Sequence, residues 1–165
     1  MGTKVYRFAV YEKEQADREA ASRVISSFFT NENIPAEIHR FFDTDGLIDA
    51  FRHNVYTAVF IGMDSMSEVD AAWIIKKFAP KCALVIISSS RDYAMEGYRL
   101  DAFDYWMKSI DEEKIDSALK RLVKELKLLR ETVIIPEYEL GGIAAATGLP
   151  LDELRNTITD KKEIK

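Results

Sequence analysis

A chain of 165 residues that is 47% hydrophobic and 31% charged can build one packed domain with an appendage, which excludes wholesale disorder. Its formal net charge of -5 argues against a surface designed to neutralise nucleic-acid phosphates, because such affinity comes largely from lysines and arginines displacing counterions. No stretch approaches the roughly 18 apolar residues of a membrane span, and Met1 to Arg7 carries charges where a secretory core would be apolar. A cytoplasmic protein is expected, and the lone Cys82, heading an apolar run, reads as a small buried thiol rather than part of a disulfide or zinc site.

Val5 to Tyr11 reads as a strand, followed by a helix over Glu14 to Phe29 with Ala20, Val24, Ile25 and Phe28 at helical spacing. Asn33 and Pro35 precede a second strand, Ile38 to Phe42, and Thr44 is placed as the cap of a helix from Asp45 to Arg52. A third apolar run, Ala58 to Ile61, leads to a helix from Val69 to Phe78 that Pro80 closes. The fourth run, Ala83 to Ile87, ends in Ser88, Ser89 and Ser90 before a helix over Arg91 to Arg99, and Ala102 to Met107 is the fifth strand. A long helix spans Asp111 to about Glu131. Continuous apolar strands alternating with helices predict an α/β fold: a five-stranded parallel sheet, doubly wound, with ligands beyond the C-terminal strand ends. The domain is expected over residues 1–122, an extension of the fifth helix and linker over 123–135, and a short helical tail over 136–165.

The segment from Ser88 to Lys108, with Glu96-Gly97-Tyr98 and Ala102-Phe103-Asp104-Tyr105, resembles the fourth helix and fifth strand of response-regulator receiver domains. The likeness runs from about Val5 to Leu122 and is strongest to the branch joined to LytTR-type DNA-binding domains. It implies the flavodoxin-like receiver fold. It also implies a phosphorylation pocket in which two acidic residues after the first strand hold Mg²⁺ and an aspartate ending the third strand accepts the phosphoryl group. A hydroxyl residue ending the fourth strand and a lysine ending the fifth would contact that group, since its spreading negative charge must be neutralised.

Against that pattern this sequence keeps Glu12, Ser88 and Lys108, but has Lys13 at the second acidic position and Gly62 at the phosphoacceptor position. Anchoring the alignment on Met66 instead puts Met63 there, so neither register supplies an aspartate. Asp64 stands two residues past the strand, roughly 6 to 7 Å along an extended chain, too far for in-line attack if the chain continues straight. Lys13 has two readings: an internal cation replacing the metal and pairing with Glu12 or Asp64, or a solvated loop residue. Tyr105 matches the family's switch aromatic and is expected to be static packing. The resemblance therefore implies a degenerate receiver with no metal or other cofactor.

On the long helix, Ile115, Leu119, Leu122, Leu126 and Leu129, followed by Val133, alternate by four and three, a heptad seam expected to pair with an identical helix, the alternative being a helix covered by its own C-terminal tail. Beyond it, Ala144, Gly148 and Leu154 have helix-turn-helix spacing. Residues 137–165 carry four Lys or Arg against six Asp or Glu, which favours a packing or protein-binding role over a DNA reader. His39 and His53 lack metal-ligand spacing, no nucleophile elbow or phosphate loop surrounds the serines, and no enzyme is expected. Phe28, Phe29, Phe41, Phe42, Phe60, Trp73 and Phe78 read as core. The expected activity is phosphorylation-independent signalling, in transcriptional regulation, through a homodimer or protein partner. A DNA-binding regulator and a receiver phosphorylated on Asp64 are the alternatives.

Overall fold

The computed structural model describes residues 5–109 and 111–132, without the side chains of 127–132. The expectations for Leu129, Val133 and the tail, its helix-turn-helix spacing included, fall outside the described residues. The elements run β1 (Tyr6–Tyr11), α1 (Gln15–Asn31), β2 (Ala36–Phe41), α2 (Thr44–His53), β3 (Ala58–Gly62), α3 (Met66–Phe78), β4 (Ala83–Ser88), α4 (Ala94–Arg99), β5 (Asp104–Met107) and α5 (Glu112–Thr132). The chain divides after Leu119. The first unit holds the whole sheet.

All four strand pairings are parallel, in the order β2-β1-β3-β4-β5, which is the flavodoxin-like arrangement with its switch point between β1 and β3. Alternate residues of each strand enter different cores, as pleating requires. Ala9, Tyr11, Val59, Ile61, Leu84 and Ile86 join Leu47 and Phe51 of α2 and Val69, Ala72 and Ile75 of α3 on one face. On the other, Phe8 stacks on Phe29 of α1 at 4.5 Å, and Phe60 packs on Trp106 at 5.5 Å. β3 is buried at every position because both of its faces and both of its edges are covered.

Several boundaries shift for physical reasons. Asp43, not Thr44, caps α2: its carboxylate accepts from the Gly46 N–H at 2.6 Å, so Thr44 opens the helix. α3 begins three residues before Val69, at Met66, with Ser65 at the N-cap position and its hydroxyl donating to Glu68 rather than bonding a backbone N–H. α4 starts only at Ala94, after a turn in which the Ser90 hydroxyl accepts from the Asp92 N–H. Three aromatics expected in the core are largely outside it: Phe42, Trp73 and Phe78 are 67%, 39% and 49% exposed. Arg18 and Arg52 lie over the rings of Phe42 and Phe78, an arrangement that partly covers apolar rings at a surface. Cys82 is buried, and burial pushes its thiol up to about 12.

Candidate functional site

The ends of β1, β3, β4 and β5 meet at the C-terminal edge of the sheet, where the crossover loops leave an opening at the switch point. Glu12 follows β1, Gly62 is the last residue of β3, Ser88 the last of β4, and Lys108 follows β5. Met63, the other register considered, is fully buried in the core.

Lys108 organises the opening. Its Nζ lies 2.8 Å from Asp64 Oδ2, 3.2 Å from Asp17 Oδ2 and 3.3 Å from Glu12 Oε1. Asp64 uses its other oxygen as an acceptor too: Oδ1 takes hydrogen bonds from Ser88 Oγ (2.9 Å), Ser89 N (3.0 Å) and Ser89 Oγ (2.8 Å). Burial alone would raise the Asp64 carboxyl, but the donors Lys108, Ser89 and Ser88 outweigh it and hold it at about 2. Burial also works against the Lys108 ammonium, and is outweighed by Asp64, Glu12 and Asp17, which raise it above the usual lysine range. Glu12 is the opposite case. It is 2% exposed, and burial pushes its carboxyl up to about 7 despite Lys108, with Asp17 and Asp64 adding repulsion. One ammonium shared among three carboxylates does not fully compensate the most buried of them.

One sequence expectation is corrected here, and one choice between two readings is decided. Asp64 is not carried away from the pocket: the chain turns after Gly62 instead of continuing extended, and the carboxylate folds back onto Ser88 and Lys108. Lys13 is exposed, with no ion pair among the described residues, and its carbonyl accepts from Arg18; the internal cation is Lys108. Ser109, where the family has proline, has φ 69°, a left-handed conformation closed to proline with its φ fixed near -65°.

Gly62 faces Glu12 directly. A Cβ built on Gly62 would lie 2.0 Å from Glu12 Oε1 and 2.4 Å from its Cδ, so the carboxylate fills the space above the strand end. Only glycine accommodates Glu12 in this position.

Three contributors were missed from the sequence. Asp17, in the first turn of α1, reaches Lys108 across the opening, a contact no local spacing announces. Ser89 supplies two of Asp64's donors. Glu68 is 5% exposed and receives Asp64 N at 2.7 Å, Ser65 Oγ at 3.2 Å and the Tyr11 hydroxyl at 2.8 Å. Ser65-Met66-Ser67-Glu68 has the spacing of a capping box, and that signal could have found it.

From this cluster a chain of hydrogen bonds leads outward. Ser88 Oγ accepts from Ser90 N at 3.1 Å, and Ser90 O accepts from the Tyr105 hydroxyl at 2.5 Å. Tyr105 lines an open groove of about 470 Å³ with Arg91, Ala94, Trp106, Met107 and Lys114. Met95 and Tyr98 of α4 are exposed, at 60% and 83%. On α5, Ile115, Leu119 and Leu122 are buried in the chain and Leu126 is half-buried.

The receiver pattern implies Mg²⁺ here, and the residues do not fit it. A hard divalent cation needs carboxylate oxygens converging on an open position. Here Lys13 replaces one of the two acids, Lys108 Nζ holds the carboxylates that converge on the opening, and no group of three acidic, His or Cys side chains among the described residues could hold a metal ion. No helix among the described residues is long and apolar enough to cross a membrane.

The chain matches no family model. It is 35% identical over 100 residues to the transcriptional regulatory protein YpdB of Escherichia coli, covering 58% of this chain and 41% of YpdB. It is 26% identical over 128 residues to the sensory transduction protein LytT of Bacillus subtilis, covering 76% and 52%. It thus spans about half the length of these relatives or less. Among solved structures it is similar to the response regulatory domain of MrkE from Klebsiella pneumoniae, with TM-score 0.63 and 26% identity over 72% of this chain and 96% of that one. Strand order and these likenesses show the receiver fold in the sheet-bearing unit, which is similar in sequence to response-regulator receiver domains.

Proposed function

We propose that this receiver works without phosphorylation, with the Asp64 carboxylate standing in permanently for a phosphoryl group and the groove beside Tyr105 presented to a protein partner. The observation that carries the reading is the set of donors on Asp64. Ser88 Oγ and Lys108 Nζ, the two groups that the receiver pattern assigns to phosphoryl contact, both bond this carboxylate, with Ser89 N adding a third donor. Gly62 supplies no nucleophile, and Ser88, Ser89 and Lys108 are already engaged by Asp64. Charge-assisted bonds of this kind are short and hold their loops together. Here they tie the β3–α3, β4–α4 and β5–α5 loops into one arrangement, and the Ser90–Tyr105 bond extends it to the α4–β5 surface.

The test is intact-mass analysis after incubation with acetyl phosphate and Mg²⁺. No base-labile aspartyl adduct is expected. A stoichiometric adduct that disappears in Asp64→Ala would overturn the proposal in favour of a receiver phosphorylated on Asp64.

Dimerisation through α5 belongs to the same reading. The heptad spacing supports it, with Leu126 and Leu129 as the residues available to a second chain. A second reading, a DNA-binding regulator, is favoured by the name of YpdB, a transcriptional regulatory protein. Against it stands the acidic balance of residues 137–165. Binding to duplex DNA no tighter than the nonspecific level, on the order of 10⁻⁴ to 10⁻⁶ M, is expected at physiological salt. A nanomolar complex lost on Arg155→Ala would favour the second reading.

A further inference from the structure

At the edge of the sheet, away from the Lys108 cluster, α1 and β2 enclose an open pocket of about 390 Å³ lined by Glu19, Ser22, Arg23, Ser26, Ile38 and Arg40. The helix residues are three or four apart and share one face of α1; Ile38 and Arg40, two apart, share one face of β2. We infer that this pocket binds the phosphate group of a small phosphate monoester, held between the guanidinium groups of Arg23 and Arg40.

Four observations support this. First, Arg23 and Arg40 have no ion pair among the described residues, although the chain carries a net charge of -5 and offers acids throughout. Second, Glu19, one turn before Arg23 and in the favourable order for a helical ion pair, is turned instead to Gln15 Nε2 at 2.9 Å, which leaves the pocket with two unpaired cations. Third, Ser22 is 5% exposed, and its hydroxyl is the buried side-chain polar atom that lacks a hydrogen-bond partner among the described residues. Buried hydroxyls are nearly always satisfied, and an exception calls for a missing partner. Fourth, the volume falls in the range of small-molecule sites and exceeds what a bare phosphate fills, while Ile38 offers an apolar wall to the esterified group. Guanidinium forks match phosphate oxygens geometrically, and two serine hydroxyls can donate to the oxygens that remain.

The experiment is a titration of the ¹⁵N-labelled full chain with phenyl phosphate and, separately, with inorganic phosphate, followed by NMR. Saturable shifts centred on residues 19–26 and 38–40 are expected, with phenyl phosphate binding more tightly; equal affinities would support a site for the phosphate group alone. Arg23→Gln with Arg40→Gln should weaken binding at least about tenfold, equivalent to about 1.4 kcal/mol, without loss of fold because both side chains are exposed. Ser22→Ala should also bind more weakly, yet melt no lower than the wild type without ligand, since it removes an unsatisfied group. Shifts that never saturate, shifts centred on Lys108, or binding unchanged in the arginine variant would each overturn the assignment, as would a Ser22→Ala protein destabilised without ligand.

Discussion

The Glu12 carboxylate occupies the position where a side chain on Gly62 would begin, 2.0 Å from the Cβ that glycine lacks. The absence of a side chain at position 62 and the inward-turned acid are therefore one structural fact. Restoring a side chain at position 62 must displace Glu12 from Lys108, and Glu12 is too buried to move into water without rearranging its neighbours.

Gly62→Ala is accordingly expected to cost about 1 to 3 kcal/mol, the usual range for overpacking a closed site. The same change in a Glu12→Ala background should cost markedly less, because the colliding carboxylate is gone. Urea unfolding of the four proteins of this double-mutant cycle measures the coupling. A cost independent of residue 12 would mean that the two positions do not compete for the same space.

Glu12 also sets a pH dependence. Its carboxyl is raised from 4.5 to about 7 in the folded chain, so the folded state holds a proton that the unfolded state releases. The stability this contributes is complete below pH 4.5 and is lost as pH rises through about 7. Asp64 acts in the other direction: lowered from 3.8 to about 2, it contributes stability above its ordinary value that is lost as pH falls through about 2. Solvent screens that contribution, since the Asp64 side chain is 36% exposed. Melting temperatures of wild type and Glu12→Gln, compared between pH 4.5 and 7, should show the wild type losing ground to the variant as pH rises. Parallel curves would show that Glu12 is already ionised at low pH.

The fold was legible because apolar runs as short as Ala83 to Ile87, β-branched and bounded by turn signals, fit strands covered on both faces, and helices between them make the sheet parallel. Glu12, Gly62, Ser88 and Lys108 were legible from the resemblance because each sits at a strand end. Asp64 was misjudged because its place depends on a turn that propensity does not describe. Asp17 was invisible for a related reason: it is an ordinary helical acid until the tertiary fold brings it to Lys108, whereas the capping-box spacing announced Glu68 and only its bond from Tyr11 was hidden. Trp73 and Phe78 misled through composition, since an amphipathic helix can expose aromatics beside its core stripe.

The helix α5 yields a separate expectation. Ile115, Leu119 and Leu122 are buried within the chain, so Leu122→Ala should cost about 2 to 5 kcal/mol, the range for a core leucine. Leu126→Asp combined with Leu129→Asp should leave the fold intact and convert a dimer at micromolar concentration into a monomer. Light scattering with circular dichroism reads both properties. A wild-type monomer would contradict pairing through α5, and an unfolded double variant would assign these leucines to the domain core.

In the proposed function, the Asp64 carboxylate holds the loops and, through them, the Tyr105 surface in one state. Asp64→Asn tests it most directly, because it keeps the shape of the side chain while removing the charge that binds Lys108. Backbone NMR of the two proteins should show changes that start at Ser88, Ser89 and Lys108 and continue through Ser90 and Tyr105 to Ala94 and Met107, together with faster amide exchange in the β4–α4 loop. Changes confined to the residues that touch Asp64, with the Tyr105 surface unaltered, would contradict the account.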